Sequence, residues 1–203
     1  LFFRLDASNV LEKNIASVVM PIGIDHKDFL KIGNIDEIVY EKCSQLLGNS
    51  KIFISEQKKT VLEKIEKSIY KNSSQKIFFG KNYTYKKNNN SFIFNDEFGS
   101  ITLPLPNLLG DFQISNVTTA IAVARKLDHF KVSNYHIKKA ITKIRCEGRL
   151  QEILTGKLRK YVSKKNKILI DGAHNTLAAT VVEKYLKKLN SRKKIIMVLG
   201  MMN

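Results

Sequence analysis

The apolar positions of the chain follow two rhythms. An almost unbroken run over residues 15–22 (Ile-Ala-Ser-Val-Val-Met-Pro-Ile) reads as a strand buried on both faces. Residues 51–55 read as a second strand. Between them, Asn34-Ile-Asp-Glu37 marks a helix start, with asparagine as the cap and glutamate three positions on. Ile35, Ile38, Val39, Lys42 and Leu46 then recur at spacings of three and four, which puts Lys42 on the apolar stripe. Residues 56–71 predict an amphipathic helix with Leu62, Ile65 and Ile69 on one face. Over 76–106 the rhythm changes to short aromatic and β-branched runs, at 77–79, 83–85, 92–94 and 101–105, separated by Asn and Gly turns. That stretch predicts a small antiparallel set of strands. Helical spacing returns over 111–128, with Val117, Ala120, Ile121 and Ala124 sharing a face, and over 132–144, where Ser133 is the expected cap. Cys146–Leu150 reads as a hinge. Beyond it, strand 167–170, helix 175–189 and strand 194–199 predict a βαβ unit. The alternation means an α/β fold with a largely parallel sheet and a second α/β domain beginning near residue 148.

Composition narrows the class without naming a function. The 203 residues are 43% hydrophobic and 26% charged, ordinary usage for a chain that buries a core, which excludes disorder as the dominant state. The longer apolar runs fall far short of the ~20 residues a membrane helix needs. The start lacks the basic, apolar and small-residue succession of a secretory leader. Two cysteines, Cys43 and Cys146, are a poor basis for a disulfide framework, so a reducing cytoplasm is expected. The net charge of +17 is uneven, with about half of the excess after Leu150. A basic excess is one mark of polyanion binding. Here the lysines sit among asparagines and isoleucines, as in Lys86-Lys87-Asn88-Asn89-Asn90, a mixture that codon usage biased toward A and T also produces. The expectation is a solvated lysine-rich surface with no specific nucleic-acid partner. The chain opens on Leu1-Phe2-Phe3 without an initiator methionine and closes directly behind a strand-like run. The expectation from both ends is an excerpt of something longer.

Four places carry chemistry at element ends. Asp25-His26 follows the first strand, and Asp171-Gly-Ala-His174-Asn175 follows a later one, where ligands of open α/β sheets bind. In the second, the acid could accept ribose hydroxyls and the helix start could meet an anion. The same residues could instead cap the helix. Asp25-His26 offers an oxygen and an imidazole to a cation, or simply a satisfied turn. Lys42 on an apolar stripe must snorkel, pair, shift its pKa or be modified. Gly148-Arg149 in the hinge offers a guanidinium that can fork onto phosphate. No Gly-x-x-x-x-Gly-Lys-Ser/Thr, Gly-x-Gly-x-x-Gly, Cys-x-x-Cys or Gly-x-Ser-x-Gly motif occurs in the chain.

Together these residues resemble the Mur ligase superfamily and, within it, the folylpolyglutamate synthase/dihydrofolate synthase family. Arg4-Leu-Asp-Ala-Ser-Asn9 is similar to that family's Arg-Leu-Asp-Ala-Thr-Asn, and Ile22-Gly-Ile-Asp-His-Lys-Asp-Phe-Leu30 to its Ile-Gly-Leu-Asp-His-Thr-Asp-Trp-Leu. Glu41-Lys42, the helix carrying Asn116, Thr119 and Ala120, Gly148-Arg-Leu-Gln151 and Ile170-Asp-Gly-Ala-His-Asn175 follow in the family's order. Val198-Leu-Gly-Met201 resembles the strand before the family's Asp-Lys-Asp.

The resemblance implies residues 1–147 as the C-terminal part of a central ATP-binding domain, with a mixed sheet flanked by helices. Residues 148–203 would begin a Rossmann-like glutamate-ligase domain. It implies ATP and Mg2+ as cofactors, L-glutamate and folate or dihydropteroate as substrates, an acyl phosphate intermediate and a monomer. It makes His26 a magnesium ligand, Lys42 the carboxylated lysine, and Asn116 and Arg149 nucleotide contacts. Asp171 would hold the ribose, His174 and Asn175 would line the interdomain cleft, and Asp6 would lie on the pterin side. In the family's order the phosphate-binding loop and a magnesium-binding glutamate precede Leu1, and most of the glutamate domain follows Asn203. Phe2-Phe3 stand where the family has two glycines. Little or no catalysis is expected of the 203 residues alone. Two other readings compete. One is a remnant that kept the fold as a basic anion-binding module. The other is a ligase of cell-wall precursors, against which Arg4–Asn9 argues.

Overall fold

The computed structural model describes residues 13–24, 33–44, 46, 50–128, 130–189 and 194–200. Three parallel strands, β1 (Ala16–Val19), β2 (Lys51–Ile54) and β3 (Gln75–Phe78), pair in the order β1-β2-β3, with Ser17 opposite Ile52 and Phe53 opposite Ile77. Helices α1 (Ile35–Cys43) and α2 (Lys59–Ser68) form the crossovers that parallel pairing requires.

β2 shows why the sheet sits where it does. Its residues alternate between two cores, as the strand period of two dictates. Ile52 and Ile54 join Ile38, Val39, Val61 and Ile65 under α1 and α2. Phe53 joins Tyr83, Phe92, Phe94, Leu103, Ile114 and Ile121 on the opposite face. Each such side chain, fully buried, contributes about 1.5–3 kcal/mol.

That second face is covered by β4 (Tyr83–Lys87), β5 (Ser91–Asp96) and β6 (Gly99–Pro104), an antiparallel meander, and by α3 (Phe112–Lys126) and α4 (Asn134–Lys143). Ser133 caps α4 as expected, and His136 completes the capping box. Asn34 caps α1 through the Glu37 amide at 2.9 Å, while the Glu37 carboxylate reaches back to the Gly33 N–H.

Four expectations change. The run at 77–79 belongs to the parallel sheet and not to the antiparallel set, because α2 carries the chain back across the sheet before β3 begins. Lys42 is exposed although it lies angularly between Ile38 and Val39, since it occupies the last turn of α1 and its side chain reaches water there. On α3 the buried residues include Ile114, Val117, Thr118, Ile121 and Ala122 and the polar Gln113, Ser115, Thr119 and Lys126; Ala120 is exposed and Ala124 only half-buried. The third strand of the expected βαβ unit does not form. β7 (Gln151–Glu152) pairs antiparallel with β8 (Leu169–Ile170), α5 (Lys157–Lys160) lies between them and α6 (Thr176–Lys188) follows. Residues 194–200 have no ladder partner, and Ile195–Leu199 stand exposed. No helix among the described residues is long and apolar enough to cross a membrane.

Candidate functional site

The carboxyl edge of the parallel sheet collects polar groups from five parts of the chain. Gln57, just past β2, clamps the segment leaving β1. Its Oε1 accepts from the Ile22 N–H at 2.9 Å, and its Nε2 donates to the Met20 carbonyl at 2.9 Å. That clamp aims Gly23 at α6. A Cβ on Gly23 would lie 2.9 Å from Leu177 Cβ, so a side chain there would force the β1 outlet or α6 to shift.

The hinge docks at the same edge. Leu150 is buried with φ at 46°, a left-handed conformation for a branched side chain. What holds it is Asp171, whose Oδ2 accepts from the Leu150 N–H at 2.7 Å. The Gly172 N–H donates to the Gly148 carbonyl at 2.8 Å, and the Gly148 N–H donates to Gln151 Oε1 at 3.0 Å. The lack of a side chain on Gly172 leaves its Cα side open to the Arg149 guanidinium, whose Nη1 would stand 4.0 Å from a Cβ there. Gly110, with φ at 94°, packs beside Leu150 Cδ1 and leads into α3.

The strand–helix junction after β8 carries the rest. Asn175 Oδ1 accepts from the Ala178 N–H at 2.8 Å and caps α6. His174 Nδ1 lies 2.9 Å from the Gly172 carbonyl. A carbonyl only accepts, so Nδ1 carries the hydrogen and Nε2 is the basic nitrogen of the neutral ring.

Charges tie the edge together. Asp111 at the start of α3 pairs with Lys87 of β4 and Lys188 at the end of α6, and these hydrogen bonds hold its carboxyl below the usual carboxylate range. Tyr85 is raised above the ordinary phenol value, by burial first and then by the Glu56 and Asp111 charges.

The structure therefore brings Arg149, Asp171, His174 and Asn175 together. Asn116 sits half-buried in the second turn of α3, with its Nδ2 donating to Gln113 Oε1 at 3.1 Å. Lys42 is on the surface, beside Glu41, whose Oε2 is buried with no partner among the described residues. Asp6 and His26 lie outside the described residues. Among those described, no group of three or more His, Cys, Asp or Glu side chains is placed to hold a metal. Sequence reasoning missed Gln57, Lys87, Asp111 and Lys188. Gln57 was within reach, because it follows a strand's carboxyl end just as Asp25 and Asp171 do.

The parallel sheet, the meander, α3 and the hinge are the architecture of a Mur-ligase-type α/β protein. Within that class, the chain is similar to dihydrofolate synthase/folylpolyglutamate synthases. It is 29% identical over 212 aligned residues to that of Buchnera aphidicola from Acyrthosiphon pisum, covering 98% of this chain and 44% of the relative. Against that of Escherichia coli K12 it is 28% identical, covering 98% and 43%. The structure of Escherichia coli FolC in complex with DHPP and ADP superposes with a TM-score of 0.77 at 25% identity, over 94% of this chain and 42% of that one. No protein-family profile matches. The chain thus spans a little under half the length of the relatives it matches.

Proposed function

We propose that these residues form part of an ADP-forming ligase, cytoplasmic and monomeric. It joins L-glutamate to folate or dihydropteroate through an acyl phosphate, as a dihydrofolate synthase or folylpolyglutamate synthase does. Residues 1–147 supply the nucleotide half and residues 148–203 begin the glutamate half.

The observation that carries this reading is the hinge strapped to the β8–α6 junction, which sets Arg149 beside the side-chain-free Gly172 at a sheet's carboxyl edge. The donor set fits a nucleotide. Arg149 supplies a fork for phosphate oxygens, and Asp171, held through one oxygen, retains acceptor capacity for a ribose. Asn116 would offer an amide from α3, and His174 and Asn175 would line the cleft. ATP would supply the activating phosphoryl group, and the chain's own residues bind and orient it. By resemblance His26 would hold Mg2+, a carboxylated Lys42 would be catalytic and Asp6 would lie toward the pterin.

The test is titration calorimetry of the 203-residue chain with ADP, beside Arg149→Ala. An arginine–phosphate bond contributes about 1.5–3 kcal/mol, so Arg149→Ala should weaken binding roughly 10- to 150-fold. Absent ADP binding, or binding indifferent to Arg149, refutes the placement.

A further inference from the structure

The strongest feature left over lies at the far end of the β7–β8 hairpin from Asp171. Hairpin connections ordinarily take about 2–5 residues, and much longer ones are usually functional. Here the pairing closes at Ile153 and Ile168, with the Ile153 N–H on the Ile168 carbonyl at 2.9 Å, and all of 154–167 lies between. That connection carries Lys157, Arg159, Lys160, Lys164, Lys165 and Lys167 and no acid. Among the described residues, only Lys167 of these finds a carboxylate, Glu152 at 3.4 Å.

The connection is built and not merely long. Gly156 turns it at φ 92°, and Arg159 donates to the Val162 and Ser163 carbonyls at 3.5 and 3.1 Å. The Asn166 N–H closes back on the Ser163 carbonyl at 2.9 Å. The result is an open depression of about 550 Å³, lined by Thr155, Arg159, Lys160, Tyr161, Ser163 and Lys164 among others. Tyr161 stands 88% exposed at this depression.

Cations, hydroxyls and one free aromatic face define a polyanion whose units also stack. A carboxylate polymer satisfies the lysines but has no use for the ring. Single-stranded nucleic acid uses both, through phosphate contacts and base–aromatic stacking. We propose that the β7–β8 connection binds single-stranded nucleic acid without sequence preference, its phosphates on Arg159, Lys160 and Lys164 and one base on Tyr161. Such contacts carry no base code.

The experiment is fluorescence anisotropy of the full chain with a labelled oligouridylate of about twelve nucleotides, within the usual site size. Three phosphate contacts on a single strand give a salt slope near −2, so affinity should fall roughly 18-fold between about 50 and 200 mM salt. The pair Lys160→Glu with Lys164→Glu should lose at least about tenfold and flatten the slope by roughly 1.4. Tyr161→Ala should lose about fivefold or more at unchanged slope. Lys138→Glu with Lys139→Glu on α4 removes the same charge from an exposed face elsewhere and should lose under threefold. Unfolding midpoints of the variants confirm that each is folded, and Tyr161→Ala tests the site without touching charge. The proposal is overturned by undetectable binding or by equal losses from the two charge pairs. It is also overturned if polyglutamate competes as well as the oligonucleotide while Tyr161→Ala is silent.

Discussion

Gly23→Ala is the substitution that best interrogates the site's assembly. Gly23 carries no positive φ, so alanine is conformationally allowed there. By the unfolded-state argument alone, Gly→Ala stabilises by about 0.4–1 kcal/mol. The structure predicts the opposite sign. The new methyl would lie 2.9 Å from Leu177 Cβ and 3.0 Å from Leu177 Cδ2. The Cβ is fixed by the backbone of the first turn of α6, so a rotamer change does not relieve it, and either β1's outlet or α6 must move. Overpacking of this kind costs about 1–3 kcal/mol, leaving a net loss of roughly 0.5–2 kcal/mol. At a urea m-value of about 2 kcal/mol/M the midpoint falls by roughly 0.2–1 M. The assay is a double-mutant cycle with Leu177→Gly, read by urea unfolding. Removing the leucine's Cβ together with its outer carbons frees the space, so the two changes should couple by roughly 1 kcal/mol or more, with the double variant more stable than additivity predicts. Stabilisation by Gly23→Ala, or additivity of the pair, would refute the close approach of the β1 outlet to α6.

Three further outcomes test the frame around the site. Arg125→Ala should destabilise by about 3–5 kcal/mol, because it strands Asp96, whose side chain is wholly buried and takes both Arg125 Nε and Nη2; urea denaturation measures it. With a thiol reagent, exposed Cys146 should label at once in the native protein, whereas Cys43, buried and pushed up to about 11 by that burial, should label only on unfolding. Asp111→Asn should lower the melting temperature slightly at neutral pH. The carboxylate's lowered pKa makes its contribution present above the ordinary carboxylate value and lost as pH falls through the depressed one, so wild type and variant should converge in acid and at high salt.

Local signals in the sequence located most elements because they are local in origin. Asn34 and Ser133 cap their helices through side-chain geometry that three or four residues determine. Phe92 and Phe94 point inward because alternation is a property of the strand itself. The misplaced pieces depended on partners distant in sequence. Residues 77–79 carry the same aromatic and β-branched signature as the meander, and only pairing with β2 distinguishes them. Thr118 and Ala122 are buried on α3 because that helix packs on β2, β4 and β5, and small side chains give periodicity little to register. Residues 194–199 have strand propensity, yet a strand is defined by a ladder and none forms. At the site, Arg149, Asp171, His174 and Asn175 were legible as polar residues at element ends. The Asp111 bridge was not, since nothing local to Lys87 or Lys188 encodes a shared carboxylate.

The two halves of the site are joined by different means than those that hold each sheet together. α6 buries no residue fully, and among the described residues the cores under α1–α2 and under the meander contain no buried residue beyond Ile141, with half-buried Ile144 packed against the second. Among the described residues, the contacts that attach 169–188 to the rest include the short β7–β8 pairing, the Asp171–Leu150 and Gly172–Gly148 hydrogen bonds, the exposed Lys188–Asp111 pair and the Gly23–Leu177 contact. Hydrogen bonds of this kind contribute about 0.5–1.5 kcal/mol each, and an exposed ion pair about 1 at most. Their sum is a few kcal/mol, against side chains in the cores that each contribute as much as two such bonds. The junction therefore lies at the low-stability end of the molecule, where ligand binding has the most leverage on geometry. A phosphate on Arg149 would act on the hinge itself, since the residues on either side of it, Gly148 and Leu150, carry the straps. On the proposed nucleotide placement, ligand affinity and the attachment of α6 would be coupled through one short segment, and a substitution that loosens the straps should weaken nucleotide binding without touching a proposed nucleotide contact.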